Sequence, residues 1–433
     1  MLGIAVALEL ADAGRAVTVF EAAPELGGLT APWSIGDLTW DRYYHVTLAS
    51  DRNTRALLRR AGVDQRLQLR STSTGYWDGR SVHRADTVRE FLALPDLSLV
   101  AKLRIGATIA LNARRRDWRR IERSTVDRWL RRWSGRAAFD RFWEAQLRAK
   151  LGVEHRDVAA SFLWATFRRL DGARRGVERR EQMGYVQGGY ATTIAGLAEA
   201  LRSAGVDVVL DTPVSALDRV ESAVVVTTDS GARAFDDVVV TLAAPFAAGL
   251  VEQLDPTAAA QLRSVRTMGV VCASAVFERS VSPHYLTYLA APTPLTAVVD
   301  MSALVDAADL AGRGLVYLPR YVASDDPLFE RSDDELREEW LGALRAVYPD
   351  LESNELIAFA VARARHVFAV PAVGYSARVP PLTVEGDRIH LVGSAHLVHA
   401  TLNVDETVAL GTWAARELVA RGRIDRASLL ARP

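Results

Sequence analysis

The spacing of apolar residues predicts a helix followed by a strand at the start of the chain. Small and apolar side chains fill residues 3–13 and stop at Gly14, as in a buried helix that ends on a glycine. Residues 15–21 have the apolar run of a short buried strand that ends at Glu21. The same helical and strand patterns of apolar residues predict four further elements: a helix over 189–204, a strand over 206–210, a strand over 389–392 and a helix over 405–420. Helices and strands therefore alternate at both ends, as in an α/β fold.

The middle of the chain has a different pattern. Apolar residues three or four positions apart predict helices over most of 87–180. An Asp-Gly pair at 78–79 predicts a hairpin within 76–83, and a second mixed region runs over 266–361. The remaining predictions are an irregular stretch over 24–50, a helix over 52–61, a hairpin that ends near 228 and one apolar strand over 235–241.

Composition indicates a globular protein with room for two or three domains. The chain has 433 residues, 49% of them apolar, and its 53 basic residues balance its 53 acidic residues. The longest uncharged stretch, 238–251, is too short to cross a bilayer, and no secretory signal is recognisable at Met1. The single cysteine, Cys272, cannot form an internal disulfide, so we expect a cytoplasmic protein.

Gly3 and Glu21 are spaced like two characteristic residues of a dinucleotide-binding unit: a glycine at the start of the first helix and an acidic residue at the end of the next strand. A helix that starts near Gly3 would direct free N–H groups and the positive end of its dipole at a pyrophosphate. Glu21, at the end of the following strand, is placed to accept hydrogen bonds from a ribose. Such units normally open with a strand and a G-x-G-x-x-G turn. If Gly3 is the third glycine of that turn, the first two glycines and the strand would precede Met1, so we expect the chain to start inside its own phosphate loop.

From Glu21 to Gly28 the sequence EAAPELGG resembles the superfamily of flavin-containing amine oxidases, protoporphyrinogen oxidases and phytoene desaturases. Further segments follow in the family's order: GYVQGGY at 184–190, DTPV at 211–214, DVVVTLAAP at 237–245, and RIHLVGSA at 388–395 with DETVALG at 405–411. The resemblance covers nearly the whole chain. It is specific at both ends and loose in the middle.

This resemblance implies FAD as cofactor and an α/β fold, with a discontinuous Rossmann-like FAD-binding domain and an inserted α+β substrate domain that includes a helical cap. The FAD-binding domain is expected in residues 1–70, 184–262 and 362–433, and the substrate domain in 71–183 and 263–361. The residues implied to contact the cofactor are Gly3, Glu21, Gly27, Gly28, Leu29, Val214, Ala243, Gly393, Ser394, Asp405 and Val408. At Ser394 the family usually has an aspartate, so here a hydroxyl replaces the carboxylate that holds the ribityl chain.

His45 follows the segment 40–44, which passes the flavin ring in relatives. Its imidazole is a candidate general base; it could equally be a polar contact to the cofactor or a histidine satisfied by packing. Candidate substrate contacts are Tyr44, Tyr185, Tyr321 and Arg365, although core packing explains each of them equally well. His396 is expected near the flavin. The H-x-x-H spacing of His396 and His399 lacks the further ligands that a structural metal site needs, so no metal is expected.

The resemblance implies an FAD-dependent oxidoreductase that abstracts hydride from an apolar or conjugated small molecule, with oxygen or another acceptor reoxidising the flavin. Amine oxidation is disfavoured because many relatives place a late lysine near flavin N5 or attach FAD to a late cysteine. This chain has no lysine after Lys150 and no cysteine after Cys272. Three alternatives stay open: a redox-neutral enzyme of the sugar-nucleotide mutase type, an amine oxidase, and a truncated remnant that does not bind FAD.

Residues 101–190 are strongly basic, with 22 Lys or Arg against 10 Asp or Glu. Five tryptophans lie in this block: Trp118, Trp129, Trp133, Trp143 and Trp164. One interpretation is a peripheral membrane contact through residues 101–180, with arginines and tryptophans at the inner, anionic face. The second interpretation is a solvated basic face with the tryptophans in the core. No nucleic-acid-binding module accompanies the charge, so nucleic acid is not an expected partner. The oligomeric state stays open.

Overall fold

A computed structural model describes residues 1–95, 97–175, 180–352, 355–384, 388–398 and 402–432. The helices are α1 Leu2–Asp12, α2 Arg52–Arg60, α3 Val88–Ala93, α4 Leu99–Ala113, α5 Trp118–Glu122, α6 Val126–Ser134, α7 Arg136–Ala138, α8 Glu144–Leu151, α9 Ala160–Ala173, α10 Gly189–Ser203, α11 Ala244–Val251, α12 Pro256–Arg263, α13 Asp333–Val347, α14 Val404–Arg421 and α15 Arg426–Leu430.

The strands are β1 Thr18–Phe20, β2 Pro32–Ile35, β3 Leu38–Asp41, β4 Thr47–Leu48, β5 Leu67–Ser71, β6 Thr74–Trp77, β7 Val82–Arg84, β8 Arg174–Arg175, β9 Arg180–Val186, β10 Asp207–Val209, β11 Val214–Val220, β12 Ala223–Thr228, β13 Gly231–Phe235, β14 Val238–Val240, β15 Thr267–Phe277, β16 Leu286–Leu289, β17 Ala297–Asp300, β18 Gly314–Ala323, β19 Leu356–Ala369 and β20 Ile389–Leu391.

The main sheet has seven strands in the order β19-β15-β18-β17-β16-β6-β7. All residues of β15 are buried, because its two faces pack against different layers. On one face Ala273 and Phe277 pack with Trp340 of α13, and on the other Cys272 packs with Tyr185 and Trp40. Strands β6 and β7 lie in the segment 71–183 and β15–β18 in the segment 263–361, the two segments expected to form the substrate domain, and this sheet joins them.

Short parallel strands form the part of the fold that carries the dinucleotide motif. β1 pairs with β10, and β14 pairs with β20, in two separate two-stranded sheets. Helix α1 begins at Leu2, with Met1 as its cap, and packs against α14. There is no side chain at Gly411, so α14 approaches α1 closely: a Cβ there would lie 2.8 Å from the Leu2 carbonyl oxygen.

Helices α3–α9 form a cap over one end of the main sheet. Their shared core contains Trp118, Trp129, Trp143 and Trp164, each at most 6% exposed. The interpretation of these tryptophans as interfacial side chains is therefore wrong, because they are already packed against the cap's own helices. Only Trp133 of the five is partly buried.

The predicted elements occur, with four corrections. The stretch 24–50 contains strands β2, β3 and β4, and the apolar run 235–241 is divided between β13 and β14. The helical pattern ends at Ala173, where β8 begins. Strand β19 continues through the boundary expected after residue 361, because it pairs with β15 as far as Ala369. The domain limits are otherwise predictions.

Candidate active site

A large cavity runs from the two parallel strand pairs to the helical cap. Its volume is about 2230 Å³. Sites for one small ligand usually occupy about 300–1,000 Å³, so this cavity has room for a dinucleotide together with a second molecule. At one end lie Glu21 and the start of α1, and at the other lie Tyr44, Tyr321 and the inner face of α8.

The dinucleotide end is shaped by the start of α1 and the end of β1. Gly3 and Glu21 both line the cavity. The backbone of Glu21 is fixed by its N–H, which donates to the Val209 carbonyl at 3.0 Å, and one carboxylate oxygen accepts from the Ala23 N–H at 3.0 Å. Burial lowers the pKa of the Met1 amino group to about 6, although the nearby Glu21 charge acts in the opposite direction. The second carboxylate oxygen of Glu21 stays available to a ligand hydroxyl.

Gly27 and Gly28 form a turn that only glycine fits without strain. Both have positive φ angles, 125° and 60°. A Cβ on Gly27 would lie 2.6 Å from the Ile194 side chain, whereas a Cβ on Gly28 would meet no protein atom within 4 Å. Because Gly28 and Leu29 line the cavity, the backbone of this turn can approach a ligand closely. Val214 and Ala243 line the same cavity.

The carboxyl-terminal segment contributes different residues from those expected. Ser394 lines the cavity, together with Asn403, Val404 and Thr407 at the start of α14. Three of the expected contacts, Gly393, Asp405 and Val408, are not lining residues, and each has another structural role. Gly393 packs so tightly that a Cβ would lie 2.6 Å from the Leu242 carbonyl oxygen. The Asp405 carboxylate accepts from the Thr54 N–H at 2.8 Å and from Asn53 Nδ2 at 3.0 Å, and Val408 is buried in the core.

His45 lines the cavity and is held as a neutral imidazole. Its Nδ1 lies 2.8 Å from the Tyr43 carbonyl oxygen, which can only accept, so Nδ1–H donates and Nε2 keeps its lone pair. Burial lowers the pKa of His45 to about 4. The ring of Tyr190 packs beside it, with centroids 5.2 Å apart. His45 can therefore accept a hydrogen bond at neutral pH but does not supply a positive charge.

Two tyrosines and a lysine meet at the opposite end of the cavity. The Tyr44 and Tyr321 hydroxyls are 2.9 Å apart. Lys150 Nζ lies 3.5 Å from the centroid of the Tyr321 ring and 5.8 Å from that of Phe368. Burial and the neighbouring Tyr321 raise the pKa of Tyr44 well above its ordinary value, so its hydroxyl stays protonated.

The remaining two expected substrate contacts lie elsewhere. The Tyr185 hydroxyl donates to Asp306 and Asp309, which ties β9 to the loop after β17. Arg365 pairs with Glu330 and lies over the Phe329 ring. Neither Tyr185 nor Arg365 lines the cavity, because the strands that carry them turn these side chains toward partners outside it.

Sequence reasoning missed Lys150 and most of the wall around it. The signal was present: the cavity-facing residues of the π-helix at 139–143 and of α8 recur with helical spacing. They are Phe142, Trp143, Gln146, Leu147, Lys150 and Leu151. A basic residue on that stripe looks the same in sequence as the exposed arginines of the opposite face. His366 and Arg169 are further lining residues that the sequence did not predict.

His396 does not line the cavity. Its Nδ1 accepts from the Gly393 N–H at 3.0 Å, and burial lowers the pKa of His396 to about 4. It therefore supports the Gly393 turn from behind. His399, its partner in the H-x-x-H spacing, lies outside the described residues. Among the residues described, no group of three His, Cys, Asp or Glu side chains is arranged to hold a metal ion.

Comparison with known proteins identifies the family. The model of flavin-containing amine oxidoreductases matches residues 2–419. The chain belongs to this family. No curated protein sequence matches the chain. The match to the family model confirms FAD as the cofactor. It also confirms the α/β fold, with a Rossmann-like FAD-binding domain and an inserted substrate domain.

Solved structures share the fold at low sequence identity. A putative protoporphyrinogen oxidase from Exiguobacterium sp. 255-15 has a TM-score of 0.74 at 20% identity, over 97% of this chain and 96% of that chain. A putrescine oxidase bound to putrescine has a TM-score of 0.72 at 18% identity, over 97% of each chain. A reduced UDP-galactopyranose mutase has a TM-score of 0.75 at 14% identity, over 99% and 94%. Since these proteins differ in activity, the shared fold leaves the reaction of this family member undecided.

The cavity fits FAD on its own evidence. Open space lies over Gly28, where a Cβ would meet no protein atom, and the start of α1 and the Glu21 carboxylate lie at the dinucleotide end. Glu21 and Gly28 lie near the start of the chain and Ser394 lies near its end, yet all three line the same cavity. In this family member they are the residues that would hold the ribose, the ring system and the chain between them.

Proposed function

We propose that this protein is an FAD-dependent dehydrogenase that acts on an apolar or conjugated small molecule. The proposal rests on one observation: the cavity that holds the cofactor residues continues along a wall of aromatic and aliphatic side chains. That wall includes Phe91, Leu94, Ile109, Phe142, Leu147, Phe162, Phe167, Tyr285 and Tyr288. Bound FAD supplies hydride acceptance, and oxygen or another acceptor removes the electrons.

The chain's own groups suit binding and orientation of such a substrate. The hydroxyl pair of Tyr44 and Tyr321 offers a neutral donor, and neutral His45 offers an acceptor at neutral pH. The aromatic wall excludes water from the substrate, which strengthens each of these few polar contacts. No protonated acid or charged base is required when the substrate's hydride is already activated.

The arginines of this end favour dehydrogenation over sugar-nucleotide chemistry. A nucleoside diphosphate would need basic groups that are not already neutralised. Arg169 pairs with Asp51 at 2.8 Å, Arg363 pairs with Asp333 at 2.7 Å, and Arg42 lies 3.7 Å from Glu25. Two of the arginines that line the cavity, Arg169 and Arg363, are thus closely paired with protein carboxylates.

The decisive experiment is anaerobic mixing of the purified flavoprotein with three substrate sets: polyenes, porphyrinogens and amines. We expect bleaching of the flavin absorbance by a polyene or a porphyrinogen and none by the amines. Turnover of a sugar nucleotide without any electron acceptor would instead support a mutase. A protein that purifies colourless and does not take up added FAD would support a remnant that has lost the cofactor.

We also propose that α4 rests on the surface of an anionic membrane. Four large apolar side chains of this helix are exposed: Leu99, Val100, Leu103 and Leu111 are 60%, 66%, 56% and 53% exposed. Residues 97–116 contain no acid and five basic residues, three of them at 114–116 where the helix ends. Aliphatic side chains with a basic flank suit anionic lipid. No helix of the described residues is long and apolar enough to cross a membrane.

The inner side of α4 faces the cavity, so a membrane contact through α4 would bring the cavity close to the lipid. Ile109 faces the cavity from α4, and Phe91 and Leu94 face it from the adjoining α3 segment. An apolar substrate dissolved in lipid would then enter through the cap with little exposure to water. This would place the protein in the cytoplasm, at the inner face of the membrane.

Vesicle flotation tests the contact directly. We expect the protein to float with phosphatidylglycerol vesicles and to stay in solution with phosphatidylcholine vesicles. The double variant L103E/L111E should lose flotation, because two charges would replace the inserted side chains. The matched control is V220E, since Val220 is 55% exposed on a distant hairpin. Equal flotation of the wild type and L103E/L111E would contradict the proposal.

A further inference from the structure

Lys150 is a cation inside the cavity that no described carboxylate neutralises. It lies in the last turn of α8, half-buried, on the stripe of side chains that lines the cavity. Arg148, on the outer face of the same helix, pairs with Glu144 at 3.0 Å. Among the side chains that the structure describes, Lys150 Nζ has aromatic neighbours but no acidic partner and no hydrogen-bond acceptor.

The surroundings of Lys150 hold the ammonium in place. The Tyr321 ring lies beneath Nζ at 3.5 Å, and the Tyr321 hydroxyl is fixed in turn by Tyr44. The end of α8 is anchored by Thr296, whose hydroxyl donates to the Ala149 carbonyl at 2.7 Å. A cation over an aromatic face is stabilised by the ring, but the ring accepts no conventional hydrogen bond. The three N–H donors of the ammonium therefore stay available to a ligand.

Asp86, an acidic residue that also lines the cavity, is already paired within the protein. Its carboxylate accepts from Ser73 at 2.9 Å and from Arg84 at 2.7 Å. Whereas Asp86, Arg169 and Arg363 are closely paired, Lys150 is a cavity-lining charge for which the structure describes no carboxylate partner. A half-buried cation of this kind is stabilised most by an anion that arrives with the ligand.

We propose that Lys150 binds an anionic group of the substrate, of the carboxylate type, which orients the apolar part of the molecule along the aromatic wall. This inference rests on the proposed function and narrows it to conjugated or apolar acids. It also predicts selection against amines, because a protonated amine at this end would face an ammonium group. Lys150 is thus a specificity-determining residue, separate from the groups that hold the cofactor.

Two fluorescent probes of nearly equal shape test the charge alone. N-phenyl-1-naphthylamine is neutral, and 1-anilinonaphthalene-8-sulfonate adds one sulfonate. We expect the wild-type protein, loaded with FAD before the measurement, to bind the sulfonate more tightly by calorimetry. K150M should weaken sulfonate binding by roughly tenfold to a hundredfold and leave neutral-probe binding unchanged, because only the charge-assisted contact is lost. K150R should retain most of the sulfonate affinity.

The control on the same helix is R148M, which removes one positive charge from the outer face and should change neither affinity. Unfolding temperatures of K150M and R148M within a few degrees of the wild type show that the fold is kept. The proposal is overturned if the wild type does not prefer the sulfonate, if K150M binds both probes as the wild type does, or if K150M loses both equally. Because the readout is ligand affinity, it is separate from flavin content and turnover, which test the proposed function.

Discussion

Glu21 and Asp41 are two carboxylic acids near the amino terminus whose surroundings give them different roles. Glu21 ends β1 at the cavity wall, with one oxygen engaged by a backbone N–H and the second open to a ligand. Asp41 is only 3% exposed, and its Oδ1 accepts from the Tyr190 N–H at 2.7 Å. The first acid is therefore available for recognition, whereas the second belongs to the support of α10.

Replacing Glu21 should weaken FAD binding. In E21Q the side chain keeps an acceptor but loses its charge, so we expect the Kd for FAD to rise roughly tenfold or more. Measurement by quenching of flavin fluorescence gives the Kd directly. E25Q is the control, because Glu25 lies in the following loop and is not a lining residue. Equal FAD affinity in E21Q and the wild type would show that Glu21 does not meet the cofactor.

Asp41 should make stability depend on pH. Burial raises the pKa of Asp41 to about 7, and the Tyr190 N–H partly opposes this shift. In the unfolded chain the carboxyl has its ordinary pKa near 4. Between about pH 4 and pH 7 the native state holds the proton and the unfolded state has lost it, so the Asp41 contribution to stability falls as pH rises through this window.

D41N removes this dependence because an amide keeps an acceptor and carries no charge. We expect D41N to gain about 1–3 kcal/mol relative to the wild type between pH 5 and pH 8, measured as the free energy of urea unfolding. D37N, at an exposed aspartate, should show no such change. A D41N variant that loses stability at pH 8 would mean that the charged form is required.

At the scale of elements, the fit of α14 against α1 depends on one missing side chain. A Cβ on Gly411 would lie 2.8 Å from the Leu2 carbonyl oxygen and 3.1 Å from the Ala5 Cβ. Because α1 presents its amino end to the cavity, any displacement of α1 also disturbs the cofactor end. Propensity alone would favour alanine over glycine inside a helix, so packing decides this position.

G411A should therefore destabilise the protein despite its better helix propensity. We expect a loss of about 1–3 kcal/mol in the free energy of unfolding, from the forced separation of two helices. G342A in α13 is the matched control: a Cβ there meets no atom within 4 Å, so that variant should gain about 0.5–1 kcal/mol. If both variants gain stability, α1 and α14 can move apart without cost.

For the whole molecule, one ligand is expected to connect distant parts of the chain. Glu21, Val214 and Ser394 line the same cavity although they are remote in sequence. Their segments also belong to, or directly follow, strands of three separate sheets: β1-β10, β11-β12-β13 and β14-β20. A dinucleotide lying across them would therefore add contacts that the protein alone does not make.

FAD should stabilise the protein against heat more than riboflavin does. At a hundred times its Kd, a ligand that binds only the native state adds about 2.7 kcal/mol. Riboflavin lacks the adenosine and pyrophosphate, so at the same concentration it should raise the unfolding temperature less. Differential scanning fluorimetry of the apoprotein makes the comparison. Equal shifts with the two ligands would place the binding contacts at the flavin end only.

Much of the architecture could be predicted because it is written in local patterns. The helices at 3–13, 189–204 and 405–420 could be predicted because each buries one face, which places apolar residues at helical spacing. The turn at Gly27 and Gly28 could be predicted because it needs positive φ angles, which glycine adopts readily. The hairpin at 76–83 follows from its Asp-Gly turn. Strands β2 and β3 were missed because each has only four residues, too few to show a period.

The cofactor class, the α/β character and the order of the elements could be predicted from the amino-acid sequence, because motifs and periods are formed by residues close together in the chain. Which of the candidate residues face the cavity became known only from the packing of the folded chain. Tyr185 and Arg365 turn away from it, while Lys150 lies inside it. The tryptophans of the basic block proved to be core, and the aliphatic side chains of α4 proved to be exposed. Whether a side chain faces the cavity, the core or solvent depends on how elements distant in sequence pack together. The residue pattern within one segment does not show which other segments pack against it.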